Sequence, residues 1–167
     1  MAKILMIDDD PDIIEAVRIP LEARGHQVYA AHSGPDGLRM VKELAPDLII
    51  LDVMMDSYTE GFHVSLTLRS RALDSEYAAY RNVPILMLTS IHQSTKTRFA
   101  PDEDYLPVDA FMEKGASPSA LLAKVDELLA RAAGAAQDLA GPGTATASIS
   151  SAGPREAAGN GQRTDGR

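Results

Sequence analysis

The sequence predicts an α/β fold in which helices cover both faces of a five-stranded parallel sheet. Over residues 1–133, short apolar runs alternate with amphipathic stretches, a pattern typical of strand–helix–strand units. Hydrophobic residues make up 45% of the 167 residues but aromatic residues only 5%, so the core is expected to be aliphatic. A chain of this length predicts one ordinary domain with some residues left over.

The strands are predicted at five short runs rich in branched aliphatic residues and bounded by turn residues. These runs are KILMI (3–7), VYAA (28–31), DLIIL (47–51) followed by Asp52, PILML (84–88) followed by Thr89, and VDAFM (108–112).

The first helix is predicted between Asp10 and Gly25. Asp10 is a favourable N-cap, Pro11 suits the first helical position, and glycine commonly ends a helix. Pro20 lies inside this segment. Because an interior proline removes one helical hydrogen bond and costs about 3 kcal/mol, we expect a kink or an early final turn there.

The other helices are predicted from apolar residues that recur at helical spacing. One covers residues 33–44, and a second covers residues 62–73 with Phe62, Leu66 and Leu73 facing the core. The last begins at Ser117 and Pro118, and its apolar face consists of Leu121, Leu122, Val125, Leu128 and Leu129.

Two segments between these elements are predicted as loops. Residues 53–61 form a loop that Gly61 closes. Residues 90–107 contain two prolines and the acidic run 102–104, and we expect a long loop with one short helix.

Residues 134–167 are predicted to form a disordered tail, so the folded domain is expected to cover residues 1–133. The tail consists mainly of Ala, Gly, Ser and Thr, and Leu139 and Ile149 are its only large aliphatic residues. Such a segment cannot bury enough apolar surface to offset the entropy that ordering it would cost.

The net charge of −8, the short apolar run at the start and the cysteine content argue against nucleic-acid-binding, membrane-anchored and disulfide-bonded proteins. The tail is neutral, so residues 1–133 carry the whole excess of acid. An acidic chain without a Lys/Arg cluster disfavours direct nucleic-acid binding. The apolar run before the first aspartates is only four residues long (4–7), too short for a signal peptide or a membrane anchor, and the lack of cysteine excludes disulfides and thiolate metal sites. We expect a cytoplasmic protein that does not insert into membranes.

Side chains that carry chemistry follow four of the predicted strands. Asp8 and Asp9 follow the first strand, Asp52 the third, Thr89 the fourth and Lys114 the fifth. Because the carboxyl ends of parallel strands lie at one edge of an open sheet, where ligands bind in this architecture, these side chains are expected to converge.

Each of these residue types suits one task at a phosphoryl site. Carboxylate oxygens of Asp8, Asp9 and Asp52 are hard ligands for Mg²⁺, which also relieves the crowding of negative charge. Asp52 is a candidate nucleophile, since a carboxylate can attack a phosphoryl donor to form an acyl phosphate. Thr89 can donate a hydrogen bond to one phosphoryl oxygen and Lys114 can place a positive charge near another.

Four segments together resemble the receiver domain of two-component response regulators: MIDDDPD (6–12), DLIILDVMM (47–55), PILMLTS (84–90) and FMEKG (111–115). The resemblance covers residues 3 to about 131. It implies the flavodoxin-like sheet order 2-1-3-4-5.

The resemblance also implies a role for each matching residue. Asp52 matches the phosphoacceptor, and Asp8 and Asp9 match the acidic pair that holds Mg²⁺. Met54 matches the residue whose backbone carbonyl completes the metal shell. Thr89 matches the switch hydroxyl, Lys114 the phosphate-sensing lysine and Phe111 the switch aromatic. Met54 and Ile91 occupy the positions that influence the access of water to the phosphoaspartate. Because both are apolar, we expect a long-lived phosphoaspartate.

The sequence departs from the family pattern in three places. Asp56 follows Met55 where the family usually has proline, and the loop to Gly61 is one residue longer. The segment between Thr89 and the lysine is longer and more acidic. Gly115 replaces a proline whose cis bond normally fixes the lysine, and a cis peptide to a non-proline residue costs about 2.5 to 4 kcal/mol, which puts the orientation of the lysine in doubt.

The resemblance implies a stand-alone response regulator that a histidine kinase or phosphotransfer protein phosphorylates on Asp52, and that signals by protein binding or phosphorelay. It would be a monomer or weak dimer, with no enzymatic activity beyond self-phosphorylation and slow autodephosphorylation. One alternative is a docking module that is never phosphorylated.

The other alternative is a haloacid-dehalogenase-like phosphatase that uses Asp8 and Asp10. Such a phosphatase requires a further acidic pair at a strand end beyond the lysine. Only Asp126 and Glu127 remain there, and both are predicted inside a helix.

Overall fold

The computed structural model describes residues 1–55, 59–72, 74–90 and 107–139, with side chains described as far as residue 135. The predictions for Leu73, for Asp56 and for Ile91 with the rest of the 91–106 segment lie outside the described residues. So does the tail beyond Leu139.

Five parallel strands form a single sheet in the order β2-β1-β3-β4-β5, which confirms the predicted fold class and strand order. The strands are β1 (Lys3–Ile7), β2 (Gln27–Ala31), β3 (Leu48–Asp52), β4 (Ile85–Thr89) and β5 (Ala110–Glu113). The central strands β1, β3 and β4 are buried almost throughout because both faces of the sheet are covered.

The fifth strand begins two residues later than predicted and extends to Glu113. Asp109 precedes it and contacts the start of β4 twice. Its backbone N–H donates to the Ile85 carbonyl at 3.0 Å, and its carboxylate accepts the Ile85 N–H at 2.8 Å. The Asp109 carboxylate therefore accepts the backbone N–H of Ile85, which a carbonyl of a neighbouring strand would otherwise accept.

Helices pack on both faces of the sheet, and a short 3₁₀ helix (Ala78–Tyr80) precedes β4. On one face, α1 (Pro11–Ala23) and α4 (Pro118–Leu139) pack against Ile4, Met6, Leu48, Ile50, Leu86 and Leu88. On the other, α2 (Gly34–Leu44) and α3 (Glu60–Arg69) pack against Leu5, Ile7, Ile49, Leu51, Ile85 and Met87. The core is aliphatic, as predicted.

The first helix continues through Pro20 and ends at Ala23, so the expected early end at the proline is wrong, whereas the alternative, a kink, stays a prediction. The N-terminal prediction is confirmed, because the Asp10 carboxylate accepts the Asp12 N–H at 2.9 Å. Pro20 lies in the last turn and is flanked by Leu21, which is fully buried. Packing of that turn against the sheet offsets the one helical hydrogen bond that proline cannot make.

The third helix covers Glu60–Arg69 rather than 62–73. Phe62 packs against the core as predicted, but the predicted inward position of Leu66 is wrong. Leu66 is 45% exposed, whereas the buried residues are Gly61, Val64, Ser65 and Leu68. Those positions also recur at helical spacing, but one is a glycine and one a serine, so an apolar pattern does not select them. A close contact between Gly61 and the end of β3 sets the rotation of this helix.

The last helix extends to Leu139, six residues beyond the expected end of the folded domain at residue 133. Alanine-rich sequence has high helix propensity, and a helix that is already nucleated and packed adds residues at little cost. The packed part is anchored by Leu121, Val125 and Leu128. No helix among the described residues is long and apolar enough to cross a membrane.

The orientation of α3 can be tested with two leucines of the same helix. Leu68→Ala is expected to destabilise the protein by about 2 to 5 kcal/mol, because Leu68 is 1% exposed and its loss leaves a cavity. Leu66→Ala, the matched control, should change the free energy of unfolding by about 0.5 kcal/mol or less. Urea denaturation measures both, and equal losses would contradict the observed rotation of the helix.

Candidate functional site

The predicted site residues do converge at the carboxyl edge of the sheet. Asp8 directly follows β1, Asp52 and Thr89 are the last residues of β3 and β4, and Lys114 directly follows β5. Backbone hydrogen bonds continue past the strand ends, since Asp8 N–H donates to the Ala31 carbonyl at 3.1 Å and Lys114 N–H to the Thr89 carbonyl at 2.7 Å. The sheet therefore fixes the backbone from which each of these side chains projects.

Three carboxylates form a compact cluster at this edge. Oxygen atoms of Asp8, Asp9 and Asp52 all lie within 4.8 Å of one another. Asp8 is 0% exposed and Asp52 1% exposed, whereas Asp9 is exposed. Two buried negative charges at this separation destabilise the fold unless a cation compensates them.

Lys114 supplies one compensating charge. Its Nζ lies 2.9 Å from Asp8 Oδ2 and 2.9 Å from Asp52 Oδ2. At these distances the contacts are ion pairs, but neither oxygen accepts a hydrogen bond of good direction, and both atoms are buried. The other Asp8 oxygen accepts the Asp10 N–H at 2.9 Å. Asp8 Oδ2 and Asp52 Oδ2 are thus two buried oxygens that share Lys114 as their ion-pair partner.

The local environment shifts the pKa of both Asp52 and Lys114 in the same direction. Burial raises the pKa of Asp52, and the neighbouring charge of Asp8 adds to the rise, although Lys114 and the Met54 N–H oppose it. Burial alone would lower the pKa of Lys114, but its contacts with Asp8 and Asp52 outweigh burial and raise it. Lys114 is therefore protonated at neutral pH, and its charge favours the ionised form of Asp52.

The glycine at position 115 does not misplace Lys114. The described residues contain no cis peptide bond, so the Lys114–Gly115 bond is trans. Gly115 adopts a φ of +87°, which a glycine accommodates without strain. A left-handed turn thus follows the lysine where the family normally has a proline.

The remaining predicted residues lie around this cluster. The Met54 N–H donates to the Asp52 carboxylate, and Thr89 is 9% exposed at the edge of the site. Phe111 is partly buried, pairs with Met87 across the sheet and packs against the core on the α2–α3 face. The predicted role of Ile91 falls outside the described residues.

Two neighbouring residues that connect the site to the helices around it, Gly61 and Glu60, were not predicted to do so. A Cβ on Gly61 would lie 2.1 Å from the Asp52 backbone carbonyl oxygen, so α3 starts directly against the end of β3. The adjacent Glu60 accepts the Gly34 N–H at 2.6 Å through Oε1 and thereby caps the first turn of α2. Sequence reasoning identified Gly61 only as a loop end, because a close approach of two backbones leaves no signal beyond the glycine itself.

The geometry disagrees with the phosphatase alternative. That mechanism needs a second acidic pair near the site, but Asp126 pairs with Arg24 at 2.9 Å and Glu127 with Lys124 at 2.6 Å on the exposed side of α4. Neither acid lies at a strand end.

Comparison with known proteins identifies the family. The family described as the response regulator receiver domain matches residues 4–126. The chain belongs to this family. Receiver domains are phosphoacceptor modules of two-component signalling systems that bind Mg²⁺ at an acidic pocket and interact with histidine kinases or phosphotransfer proteins. They are signalling proteins rather than conventional enzymes.

Individual relatives agree with this assignment to the receiver domain family. The protein PilH of Pseudomonas aeruginosa is 32% identical over 114 residues, which cover 65% of this chain and 88% of PilH. The DNA-binding dual master transcriptional regulator RpaA of Synechocystis is 37% identical over 131 residues, 78% of this chain and 50% of RpaA. The chemotaxis protein CheY4 of Vibrio cholerae superposes with a TM-score of 0.61 at 28% identity and covers 77% of this chain and 98% of CheY4.

Several of these relatives are longer than the matched receiver domain. The match covers 50% of the length of RpaA and 36% of the length of AfsQ1 of Streptomyces coelicolor, so the chain spans half or less of these relatives.

We expect Asp52→Asn to raise the Tm at neutral pH in metal-free buffer by a few degrees. Burial raises the pKa of this carboxyl above its ordinary 3.8, so the ionised form is less stable in the folded than in the unfolded protein. This cost is fully present above the folded-state pKa. It disappears below 3.8, where the carboxyl is protonated in both states.

Thermal melts at neutral pH and at a pH below 3.8 measure the difference between the variant and the parent protein. Asp74→Asn is the control, because Asp74 is exposed and its charge is solvated in both states. A lower Tm for Asp52→Asn at neutral pH, or an equal gain at both pH values, would contradict the argument.

Proposed function

We propose that this chain acts as a response regulator receiver in which Asp52 accepts a phosphoryl group from a histidine kinase or a histidine phosphotransfer protein. The observation that carries the proposal is the position of Lys114 Nζ, 2.9 Å from both buried carboxylates, Asp8 and Asp52.

In the proposed transfer, an Asp52 carboxylate oxygen attacks the phosphorus atom of the donor. The bond from phosphorus to the donor's imidazole nitrogen breaks, and its electron pair stays on that nitrogen. The product is an acyl phosphate on Asp52. The ammonium of Lys114 then lies beside a phosphoryl oxygen, and the Thr89 hydroxyl donates a hydrogen bond to another.

The residues at this edge also fit Mg²⁺. The two buried oxygens Asp8 Oδ2 and Asp52 Oδ2 lack a well-directed hydrogen bond, and Asp9 adds a third carboxylate within 4.8 Å. Asp8, Asp9 and Asp52 would hold the ion together with the backbone carbonyl of Met54. Mg²⁺ bound there supplies positive charge that offsets the charge on the transferred phosphoryl group.

Phosphorylation would act on the rest of the molecule through Thr89 and Phe111. A phosphoryl group on Asp52 draws the Thr89 hydroxyl toward the site, which vacates space beside β4. Phe111 is only partly buried and lies on the neighbouring strand, so it turns into that space. This rearrangement remodels the face formed by β4, β5 and their connections, where a downstream protein or the next relay protein would bind.

The proposal predicts a phosphorylated species that depends on Asp52. The protein incubated with acetyl phosphate and Mg²⁺ should gain the mass of one phosphoryl group, and Asp52→Asn or omission of Mg²⁺ should abolish the gain. Intact-protein mass spectrometry measures the adduct.

Asp36→Asn serves as a matched control because Asp36 is an exposed, ion-paired aspartate on α2 and should leave the adduct unchanged. Failure of the parent protein to form any adduct would favour the non-phosphorylated docking module instead. An adduct that persists in Asp52→Asn would place the acceptor elsewhere.

The phosphoaspartate is predicted to be long-lived. The apolar side chain of Met54 offers no hydrogen bond to an attacking water, so the half-life of the acyl phosphate after removal of the donor should be minutes or longer. Met54→Asn should shorten this half-life at least severalfold, since a polar side chain there can hold the attacking water. Loss of the label within seconds in the parent protein, measured by mass spectrometry at timed intervals, would contradict the prediction.

A further inference from the structure

The connection between β5 and α4 is a tight turn that carries Lys114 and depends on the glycine after it. The Ala116 N–H donates to the Glu113 carbonyl at 3.1 Å and closes a four-residue turn. Lys114 and Gly115 occupy its two central positions. The φ of Lys114 is negative and that of Gly115 is +87°, which is the arrangement of a type II turn. Such a turn favours glycine at its third position, because a Cβ there costs free energy.

The chain is anchored on both sides of this turn. Before it, the Lys114 N–H donates to the Thr89 carbonyl at 2.7 Å and continues the ladder between β4 and β5. After it, Ser117 caps α4 with its hydroxyl, and its carbonyl accepts the Leu121 N–H at 3.0 Å. Leu121 is 5% exposed and packs this end of α4 against the sheet. Because the chain reverses between two fixed points, a different φ at Gly115 would displace the backbone of Lys114.

A side chain at position 115 would act through the backbone and not through a steric clash. A Cβ on Gly115 would have no heavy atom of the described residues within 4 Å, its chain neighbours excepted. A larger residue there changes only the free energy of the left-handed backbone conformation. The requirement for glycine is therefore conformational, and the functional side chain whose direction the turn sets is that of Lys114.

We propose that Gly115 is a positioning residue for phosphoryl transfer, because its turn holds the Lys114 ammonium 2.9 Å from both Asp8 and Asp52. This role rests on the proposed phosphorylation of Asp52. The positive charge is in place before the phosphoryl group arrives, so the transfer requires little movement of Lys114. The same ammonium competes with Mg²⁺, since both cations interact with the negative charge of the same carboxylates.

Release of Lys114 from this position has two effects of opposite sign. An ammonium that is no longer held beside Asp52 stabilises the transferred phosphoryl group less, so phosphorylation becomes slower. The same ammonium repels Mg²⁺ less, so Mg²⁺ binds more tightly to the carboxylates. General damage to the site would instead weaken Mg²⁺ binding and slow phosphorylation together. The two measurements therefore separate a positioning role from a purely structural one.

The variant Gly115→Val of the full chain tests this role. Phosphorylation by acetyl phosphate at saturating Mg²⁺, followed by intact-protein mass spectrometry at timed intervals, should slow at least tenfold. The dissociation constant for Mg²⁺, measured by calorimetric titration, should fall at least threefold. Gly115→Asn should recover most of the lost rate, because asparagine adopts a positive φ more readily than valine. Gly115→Ala should change both quantities in the same directions and remains informative if Gly115→Val unfolds.

Gly25→Val is the matched control. Gly25 also has a φ of +87°, is exposed like Gly115, and would likewise have no heavy atom of the described residues near a Cβ. It lies between α1 and β2, at the amino edge of the sheet and away from the phosphoacceptor site. Gly25→Val should lower the melting temperature by an amount comparable with Gly115→Val, but its phosphorylation rate and Mg²⁺ affinity should stay within twofold of the parent.

Three results would overturn the positioning role of Gly115. These are a rate and a Mg²⁺ affinity in Gly115→Val equal to those of the parent, slower phosphorylation together with weaker Mg²⁺ binding in Gly115→Val, and equal effects in Gly25→Val. A parent protein that forms no phosphorylated adduct would overturn the proposed function instead. In that case the Mg²⁺ titrations of Gly115→Val and Gly25→Val still test whether the turn holds Lys114 beside the carboxylates.

Discussion

The arrangement of the site depends on one lysine placed between two buried carboxylates. Asp8 and Asp52 are almost completely excluded from solvent, and both carboxylates contact Lys114 Nζ at 2.9 Å. Removing Lys114 would leave two buried carboxylates without a compensating charge, which is strongly destabilising. This arrangement also makes the site responsive, because a cation or phosphoryl group that enters it changes how the two carboxylate charges are compensated by the single ammonium of Lys114. The three strands β1, β3 and β5 are therefore coupled electrostatically at their carboxyl ends.

The backbone around Asp52 is constrained as tightly as its side chain. Gly61 brings the first turn of α3 against the Asp52 carbonyl, and the neighbouring Glu60 caps α2 through the Gly34 N–H. The acceptor strand, α3 and the start of α2 are thus in direct contact. Any side chain at position 61 would have to move backbone atoms, which costs far more than moving a flexible side chain. A fixed acceptor backbone lets small displacements at Thr89 or Lys114 change the geometry of the site.

The sequence predicts most of the fold and the composition of the site, and the errors have a common physical cause. Runs such as KILMI and DLIIL predicted strands because local composition determines them, and four strand-end motifs placed Asp8, Asp52, Thr89 and Lys114 together. The predictions that Leu66 faces the core and that α1 ends early at Pro20 were wrong because tertiary packing decides both features. The orientation of Lys114 depends on a glycine turn that local patterns do not encode.

Acidic side chains are compensated differently at the two edges of the sheet. At the carboxyl edge, three carboxylates gather around one ammonium, since Lys114 pairs with both Asp8 and Asp52. At the amino edge of β4 and β5, one carboxylate, Asp109, pairs with two guanidinium groups, those of Arg69 and Arg131. Negative charge is therefore in excess at the carboxyl edge, and this is where a cation or the proton of a partner group lowers the free energy of the folded protein. The net charge of −8 does not show this difference, because a sum does not record where charges lie.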